Sequence, residues 1–276
     1  MLKMESFLGN FSMKCLFINK KMSIVNYNGS IINYQGKISK RFATYAYGGI
    51  ITYDGNYRIH TFTTNGSLNV IRSGIAQILI VGGGGNPTGM EGGGGGQVIQ
   101  SQIMLDEIHY SIIVGTSGTK SSFYGIDASP GIGSKSGSGN IAGGTVQVYG
   151  GVDEHGQNYY FTYGGGGGGD SSKGYNAISL GPGNPGAGIP GNGGDGTKSS
   201  ISGTLIGYGG GGGGGDYNGG YGKGGAGKDG GAEGAGFHGD GGGPIANSGG
   251  GGGGNSHWYG PTNGASGIVI IRYFYK

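Results

Sequence analysis

Tyr208-Gly-Gly-Gly-Gly-Gly-Gly-Gly-Asp216 contains the longest glycine run of a 276-residue chain, and what holds that run decides the fold. Further runs occupy Gly92 to Gly96, Gly164 to Gly169 and Gly249 to Gly254, and only eight of the 77 glycines precede Gly82. A glycine run has no side chains to bury, and each glycine loses more backbone entropy on ordering than any other residue. Such a run is either disordered or held by backbone hydrogen bonds between closely packed segments. A flexible linker is poorly matched by this composition, with 19 tyrosines and apolar interruptions at Ile132, Ile178, Leu180, Ile189 and Leu205. The ordered alternative is the extended polyproline-II-type helix, with three residues per turn and no internal hydrogen bonds. With glycine throughout, such helices pack side by side and pair N–H with C=O between neighbours.

The segments around the runs read as strands. Ile50-Ile-Thr-Tyr53 leads into Asp54-Gly55, a hairpin signal, and Tyr57 to Thr63 leads into Asn65-Gly66, a second one. Ser67–Ile71, Ala76–Val81, Gln97–Leu105 and Ile108–Val114 follow, with Ala76–Val81 apolar enough to be buried on both faces. Thr145–Tyr149, Tyr159–Tyr163 and Ser200–Tyr208 are further strand candidates. The terminal Gly267-Ile-Val-Ile-Ile-Arg-Tyr-Phe-Tyr275 would aggregate if exposed, so it is expected to return to the first sheet. The expected fold is therefore all-β: an antiparallel β-sandwich joined to a layered polyglycine-II-type region and closed by a C-terminal strand. The expected divisions are a basic arm or docking segment at 1–45, sandwich strands at 46–114, the glycine-rich region at 115–266 and the returning strand at 267–276. Residues 1–22 show no clean periodicity. Asn26-Tyr-Asn-Gly-Ser-Ile31 and Asn33-Tyr-Gln-Gly-Lys-Ile38 repeat a turn signal between strand-like flanks.

The order of motifs resembles a known family. Ala76-Gln-Ile-Leu-Ile-Val-Gly-Gly-Gly-Gly85 precedes Gly92-Gly-Gly-Gly-Gly-Gln-Val98, Tyr110-Ser-Ile-Ile-Val-Gly115 and Gly118-Thr-Lys-Ser-Ser-Phe123. The chain closes with Gly249 to Gly254 and Ala265-Ser-Gly-Ile-Val-Ile-Ile-Arg-Tyr273. Over about 48–275 this is similar to the glycine-rich domains of phage tail and tail-fibre-tip proteins, which also occur in large DNA viruses and some cell-surface proteins. The resemblance implies a sandwich with layered glycine helices on a particle or cell surface, and host recognition by loops between the helices. Two internal echoes accompany it: Gly118-Thr-Lys-Ser-Ser122 recurs at Gly196–Ser200, and Gly164–Asp170 recurs at Gly209–Asp216 with one added glycine.

Chemistry-bearing motifs are absent. Val81-Gly-Gly-Gly-Gly85 follows a strand, but Pro87 intervenes and no helix pattern follows, so it is not a dinucleotide fingerprint. Gly191 to Ser199 misses the P-loop spacing by one residue. Gly224-Gly-Ala-Gly-Lys-Asp229 lacks the large apolar position of a calcium nonapeptide, because Gly231 stands there. Seven prolines and no three-residue glycine period exclude collagen. The five histidines are dispersed, and one cysteine, Cys15, excludes an internal disulfide. The reading is non-enzymatic, with no cofactor and no metal. His60 and His109 fall on strands, where they face solvent or are hydrogen-bonded.

Residues 1–41 carry seven basic residues and one acid, Glu5, whereas the remainder is net acidic. The scattered lysines do not form a nucleic-acid patch, and no arginine lies between Arg72 and Arg272 as RGG-type binding would need. Charged residues break up Met1 to Ile18, so no signal peptide is expected, and no stretch approaches a membrane span. The expected setting is a virion surface or the extracellular space. The expected partners are a host-surface glycan or protein, other virion or fibre proteins through residues 1–45, and further copies of the chain. A self-assembling extracellular filament subunit is the competing reading, and an ice-binding face a third.

Binding candidates are aromatic residues in loops between glycine runs. Asn255-Ser-His-Trp-Tyr-Gly-Pro261 holds the single tryptophan. Trp258 and Tyr259 would stack on a ligand while Asn255 and His257 supply hydrogen bonds, or Trp258 would cap the edge of the slab. Tyr217, Tyr221, Phe237 and His238 are candidates for the same role.

Overall fold

The computed structural model describes residues 43–152, 154–181, 188–217, 223–237, 239 and 241–276, together with strands, as backbone only, within residues 5–39. Positions 150, 151 and 217 are likewise described as backbone only. The chain divides into two units, Met1–Ala43 and Thr44–Lys276. No helix occurs among the described residues.

The first unit is an antiparallel meander of β1 (Glu5–Leu8), β2 (Phe11–Ile18), β3 (Lys21–Val25), β4 (Ile31–Asn33) and β5 (Ile38–Ser39). Strands thus occupy the stretch where no periodicity was legible. Phe11, Met13, Cys15 and Phe17 do alternate, but Leu16 and Ile18 fill the intervening positions and blur the pattern. The repeated turn signals at 26–30 and 34–37 lie outside the described residues.

In the second unit β6 (Tyr45–Tyr47), β7 (Ile50–Asp54), β8 (Tyr57–Phe62), β9 (Gly66–Arg72), β10 (Gly74–Val81), β11 (Val98–Leu105), β12 (His109–Ile113), β13 (Ser121–Phe123) and β14 (Ile126–Ala128) build two facing sheets with β22 (Ile268–Phe274). Their orders are β11-β10-β22-β8-β7 and β14-β13-β12-β9-β6. The Asp54-Gly55 signal forms the β7–β8 hairpin, with Gly55 at φ 55°. Asn65-Gly66 does not form a hairpin. β8 and β9 lie in opposite sheets, and the Asn65 Oδ1 accepts the Val114 N–H at 2.8 Å, which fixes a corner between layers. The second sheet also runs past Val114, through β13 and β14.

The inter-sheet core gathers Phe62, Leu68, Ile78, Ile80, Ile112, Phe123, Val269, Ile271 and Tyr273. The opposite face of β10 and β22 is also covered. There Leu79, Val81, Ile268 and Ile270 meet Ile201 and Tyr208. Each fully buried Leu, Ile or Val side chain contributes about 1.5–3 kcal/mol. This two-sided burial is why β10 reads as a continuous apolar run. The C-terminal strand returns as expected, and β22 pairs with β10 on one side and β8 on the other.

The remaining strands are short: β15 (Val146–Val152), β16 (Asn158–Tyr163), β17 (Ile178–Ser179), β18 (Gly188–Ile189), β19 (Thr197–Ser199), β20 (Ile206–Tyr208) and β21 (Asp216–Tyr217). Of the expected Ser200–Tyr208 strand only β20 forms, because Ser200 to Leu205 make the connection from β19.

The glycine runs are ordered and pair with one another. In Gly209–Gly215 every N–H donates and every C=O accepts, at 2.7–3.3 Å. The donors go to Ser248, Asp229, Gly194, Gly93, Ala232, Gly191 and Met90, in that order. The carbonyls accept from Asp170, Gly251, Lys228, Gly167, Gly254, Gly225 and Gly164. Partners recur every third residue, which is the period of the extended helix. Segments 90–93, 164–170, 191–194 and 225–228 run antiparallel to this central helix, and segments 229–232 and 248–254 run parallel to it. Six helices thus surround one, in a hexagonal lattice. Seven residues at ~3.1 Å rise make a slab about 20 Å thick. The helix from Gly82 continues directly from β10, and those from Gly209, after β20, and Gly249, after a turn, also begin at the sandwich end, at φ 68° and 67°.

Candidate functional site

The lattice sorts the loops to two ends. At the end away from the sandwich, Gly215 N–H donates to Met90, Asp216 N–H to Ala235, Ala235 N–H to Gly254 and Asn255 N–H to Gly89. The segments following Gly215, Ala235 and Gly254, and the Asn86–Glu91 turn, therefore emerge together at one distal rim. The described members of the candidate set, Asn255, His257, Trp258, Tyr259, Tyr217 and Phe237, all belong to this rim. Tyr221 and His238 lie outside the described residues, and Tyr217 is described only as backbone, paired with Thr162.

The Asn255 loop is a short closed excursion. Ser256 N–H donates to the Tyr259 carbonyl at 2.9 Å, and Tyr259 N–H donates to the Ser256 Oγ at 3.1 Å. Gly253 and Thr262 close its base, with Gly253 N–H donating to the Thr262 Oγ1 at 2.8 Å and Thr262 N–H to the Gly253 carbonyl at 3.2 Å. Trp258 projects from this loop and is 68% exposed, so it does not cap the slab. His257 stands edge-on to the indole, with centroids 4.7 Å apart and planes at 87°. Tyr259 is half-buried. Asn255 is half-buried, and its Oδ1 is buried without a hydrogen-bond partner. Phe237, also half-buried, sits on a tight turn closed by reciprocal bonds between Gly236 and Gly239.

The structure adds a hairpin that the sequence reading left as plain strands. β15 and β16 pair from Val146–Tyr163 outward to Val152–Asn158. β16 joins the rim through β21, where Tyr163 pairs with Asp216. The six residues Asn158–Tyr163 span five steps, which at ~3.3 Å each give the hairpin a length of roughly 17 Å. One face buries Val148, Phe161 and Tyr163 with Ala177. Tyr149 and Tyr160 oppose each other on the other face, with centroids 5.8 Å apart, and both are exposed, as is Tyr159. The tyrosine pair at 159–160 was a signal in itself. Neighbouring strand residues point to opposite faces, so at least one must leave a one-sided core.

The ionisable cluster around His60 has a different character. His60 is fully buried, donates from Nδ1 to the Gly48 carbonyl at 2.7 Å and accepts at Nε2 from the Tyr273 hydroxyl at 2.9 Å. The Tyr273 oxygen accepts the Ala46 N–H at 2.9 Å. Burial holds the imidazole below its ordinary pKa, opposed by the Gly48 hydrogen bond, and pushes the Tyr273 phenol up to about 12. Arg58 beside them is nearly buried under the rings of Tyr45, Tyr47, Tyr53 and Tyr275. Closed off from solvent, this group fastens β6 to β22 and β8, and within it the buried Arg58 Nε has no hydrogen-bond partner. His109 is exposed. No cluster of His, Cys, Asp and Glu able to hold a metal occurs among the described residues. None of their helices is long and apolar enough to cross a membrane, because there are none.

Against known proteins, the model of a family described as a glycine-rich domain matches residues 61–274. The chain belongs to the glycine-rich domain family. No curated protein and no solved structure matches it. The match begins inside β8 and ends at the last residue of β22, so this glycine-rich domain includes most of the sandwich as well as the lattice.

Proposed function

We propose that the chain is a non-enzymatic structural surface protein of a virus or phage, tail- or capsid-associated, that contacts a host-surface glycan or protein with its distal rim. The observation that carries this reading is the convergence of the inter-run loops at one end of a rigid lattice, with Trp258 exposed at the rim. A lattice fixed by backbone bonds presents such loops with little ordering cost on binding. The exposed Trp258, Tyr149, Tyr159 and Tyr160 offer rigid amphipathic faces of the kind that stack on sugar rings and anchor protein contacts. In this reading residues 1–45 join other virion or fibre proteins.

The test is Trp258→Ala in a binding assay on host cells or envelopes, with melting temperature followed in parallel. Loss of a central tryptophan costs about 2 kcal/mol or more of binding. The side chain is mostly solvent-exposed, so the melting temperature should stay within a degree or two of the parent, roughly the effect of a neutral surface substitution. Unchanged binding to every host surface tried would remove the loop from the contact. A large drop in melting temperature would restore the packing role.

A further inference from the structure

On the flank of the slab, a groove lies between two tight turns and the chain that runs from Ile141 to Gly144. We propose that this groove is a second binding site, separate from the Trp258 loop, and that its ligand is an acidic saccharide carrying a carboxylate or phosphate group.

Its walls are fixed by backbone bonds. Ile132 and Lys135 exchange N–H to C=O bonds at 2.9 and 3.1 Å across a turn with Gly133 at φ 55°, and Gly168 N–H ties this turn to the lattice through the Ser134 carbonyl at 3.0 Å. The Thr88–Glu91 turn forms the second wall, closed at 3.3 Å. Gly143 and Gly144 also line the groove. Gly143 N–H donates to Gly166 at 2.8 Å, and Gly144 N–H to the Asn176 Oδ1 at 2.9 Å.

The charge of the groove is unbalanced. Lys135 and Lys173 both line it, both are exposed, and neither has a carboxylate partner among the described residues. Its single acid is Glu91, which accepts from Thr145 Oγ1 at 3.4 Å. Two ammonium groups against one carboxylate favour an anion. Ile132 and Ile141 stand 73% and 61% exposed on the same groove and supply aliphatic surface for the apolar face of a sugar ring. Two lysines without carboxylate partners and aliphatic edges over an open trough fit a charged sugar. A purely apolar ligand would leave both lysines unused, and a bare inorganic anion would leave both isoleucines unused.

The groove meets the rim through the Thr88–Glu91 turn, whose Gly89 carbonyl accepts the Asn255 N–H at 3.1 Å. The two sites are thus neighbours with different chemistry, and their tests are independent. The experiment is isothermal titration of the full chain with three hexasaccharides: one carrying uronate carboxylates, one carrying phosphate monoesters, and a neutral hexasaccharide of the same backbone. One acidic probe should bind, and the neutral one should bind at least about tenfold more weakly, with affinity falling as salt rises. The arm that binds distinguishes carboxylate from phosphate. Lys135→Gln with Lys173→Gln should weaken the acidic probe about tenfold or more at unchanged melting temperature, since both side chains are exposed. Ile132→Ser gives a second, charge-neutral loss, because it removes exposed aliphatic surface from the groove. The proposal is overturned if neither acidic probe binds, if the neutral probe binds equally, or if the double lysine variant binds like the parent. It is equally overturned if an acidic peptide binds at this groove and the saccharides do not.

Discussion

Replacing Gly212 by alanine adds one methyl group at the centre of the lattice, and its consequence follows from local geometry. The new Cβ would lie 2.6 Å from the carbonyl carbon of Gly252 and closer still to its oxygen, where relaxed carbon–carbon contacts need about 3.5–4.0 Å. The obstacle is backbone on a neighbouring helix, so no rotamer change relieves it. Segment 249–254 must move by about 1 Å to restore normal carbon–carbon contact. That movement stretches the 2.7 Å bond from Gly93 N–H to the Gly252 carbonyl and the 3.0 Å bond from Gly252 N–H to Gly85. Each buried polar group left without a partner costs about 1–3 kcal/mol, so two broken bonds imply roughly 2–6 kcal/mol. Against this, alanine restricts the unfolded chain and returns about 0.4–1 kcal/mol. The net expectation is a loss of about 1–5 kcal/mol, or roughly 3 °C or more in melting temperature for a unit of this size. Gly260→Ala is the matched control, because its added Cβ meets nothing within 4 Å and its φ is not positive. It should be neutral or slightly stabilising. Calorimetry of both variants decides the matter. If Gly212→Ala melts with Gly260→Ala, the glycine helices are not packed as described.

The remaining predictions concern the sandwich. The His60 pKa is depressed on folding, so the unfolded chain binds more protons at mildly acidic pH, and the stability contribution is fully present above about pH 6.5 and lost as pH falls through the folded value. For Tyr273 the shift is upward, so its contribution is present below about pH 10 and disappears as pH rises towards about 12. Denaturant midpoints from pH 4 to 11 should fall at both ends, and His60→Gln should flatten the acid limb; an unchanged acid limb in that variant would show that other groups set it. Deleting Ile268 to Tyr275 removes the strand between β10 and β8 and opens two buried edges, so the truncated chain should aggregate or unfold. A soluble truncation with the parent melting temperature would show that β22 is peripheral.

Much of the sandwich was legible because side-chain pattern and turn chemistry specify it. The β7–β8 hairpin, the two-sided burial of β10 and the return of β22 all follow from Asp54-Gly55 and from runs of Ile, Leu and Val. Asn65-Gly66 misled because a hairpin and a corner between sheets use the same turn residues, and the choice is made by distant pairing with β12 and β22. The order of the glycine runs was also legible, but their arrangement was not. A glycine carries no side chain to mark its neighbour, so nothing in Gly209–Gly215 announces that Gly93, Gly194 and Ala232 receive its bonds. The distal rim was hidden for the same reason, since its loops come together only through that lattice. Within the rim, the exposure of Trp258 is one of two alternatives the sequence leaves open, the burial of the Asn255 Oδ1 has no signal in it, and the tyrosines of β15 and β16 read there as strand residues alone. The burial of Arg58 and His60 runs against residue type, and only the closed network with Tyr273 and the surrounding rings accounts for it.

Amide exchange on glycine-labelled full-length protein tests the lattice most directly. The amides of Gly211 to Gly214 each donate to another backbone segment at the centre of the slab, so they should exchange slowly, with protection comparable to the core strand amides of β10. The exposed amide of Gly260 should exchange at close to the random-coil rate. Random-coil exchange throughout Gly209 to Gly215 would contradict the ordered polyglycine lattice on which the rim and the groove both depend.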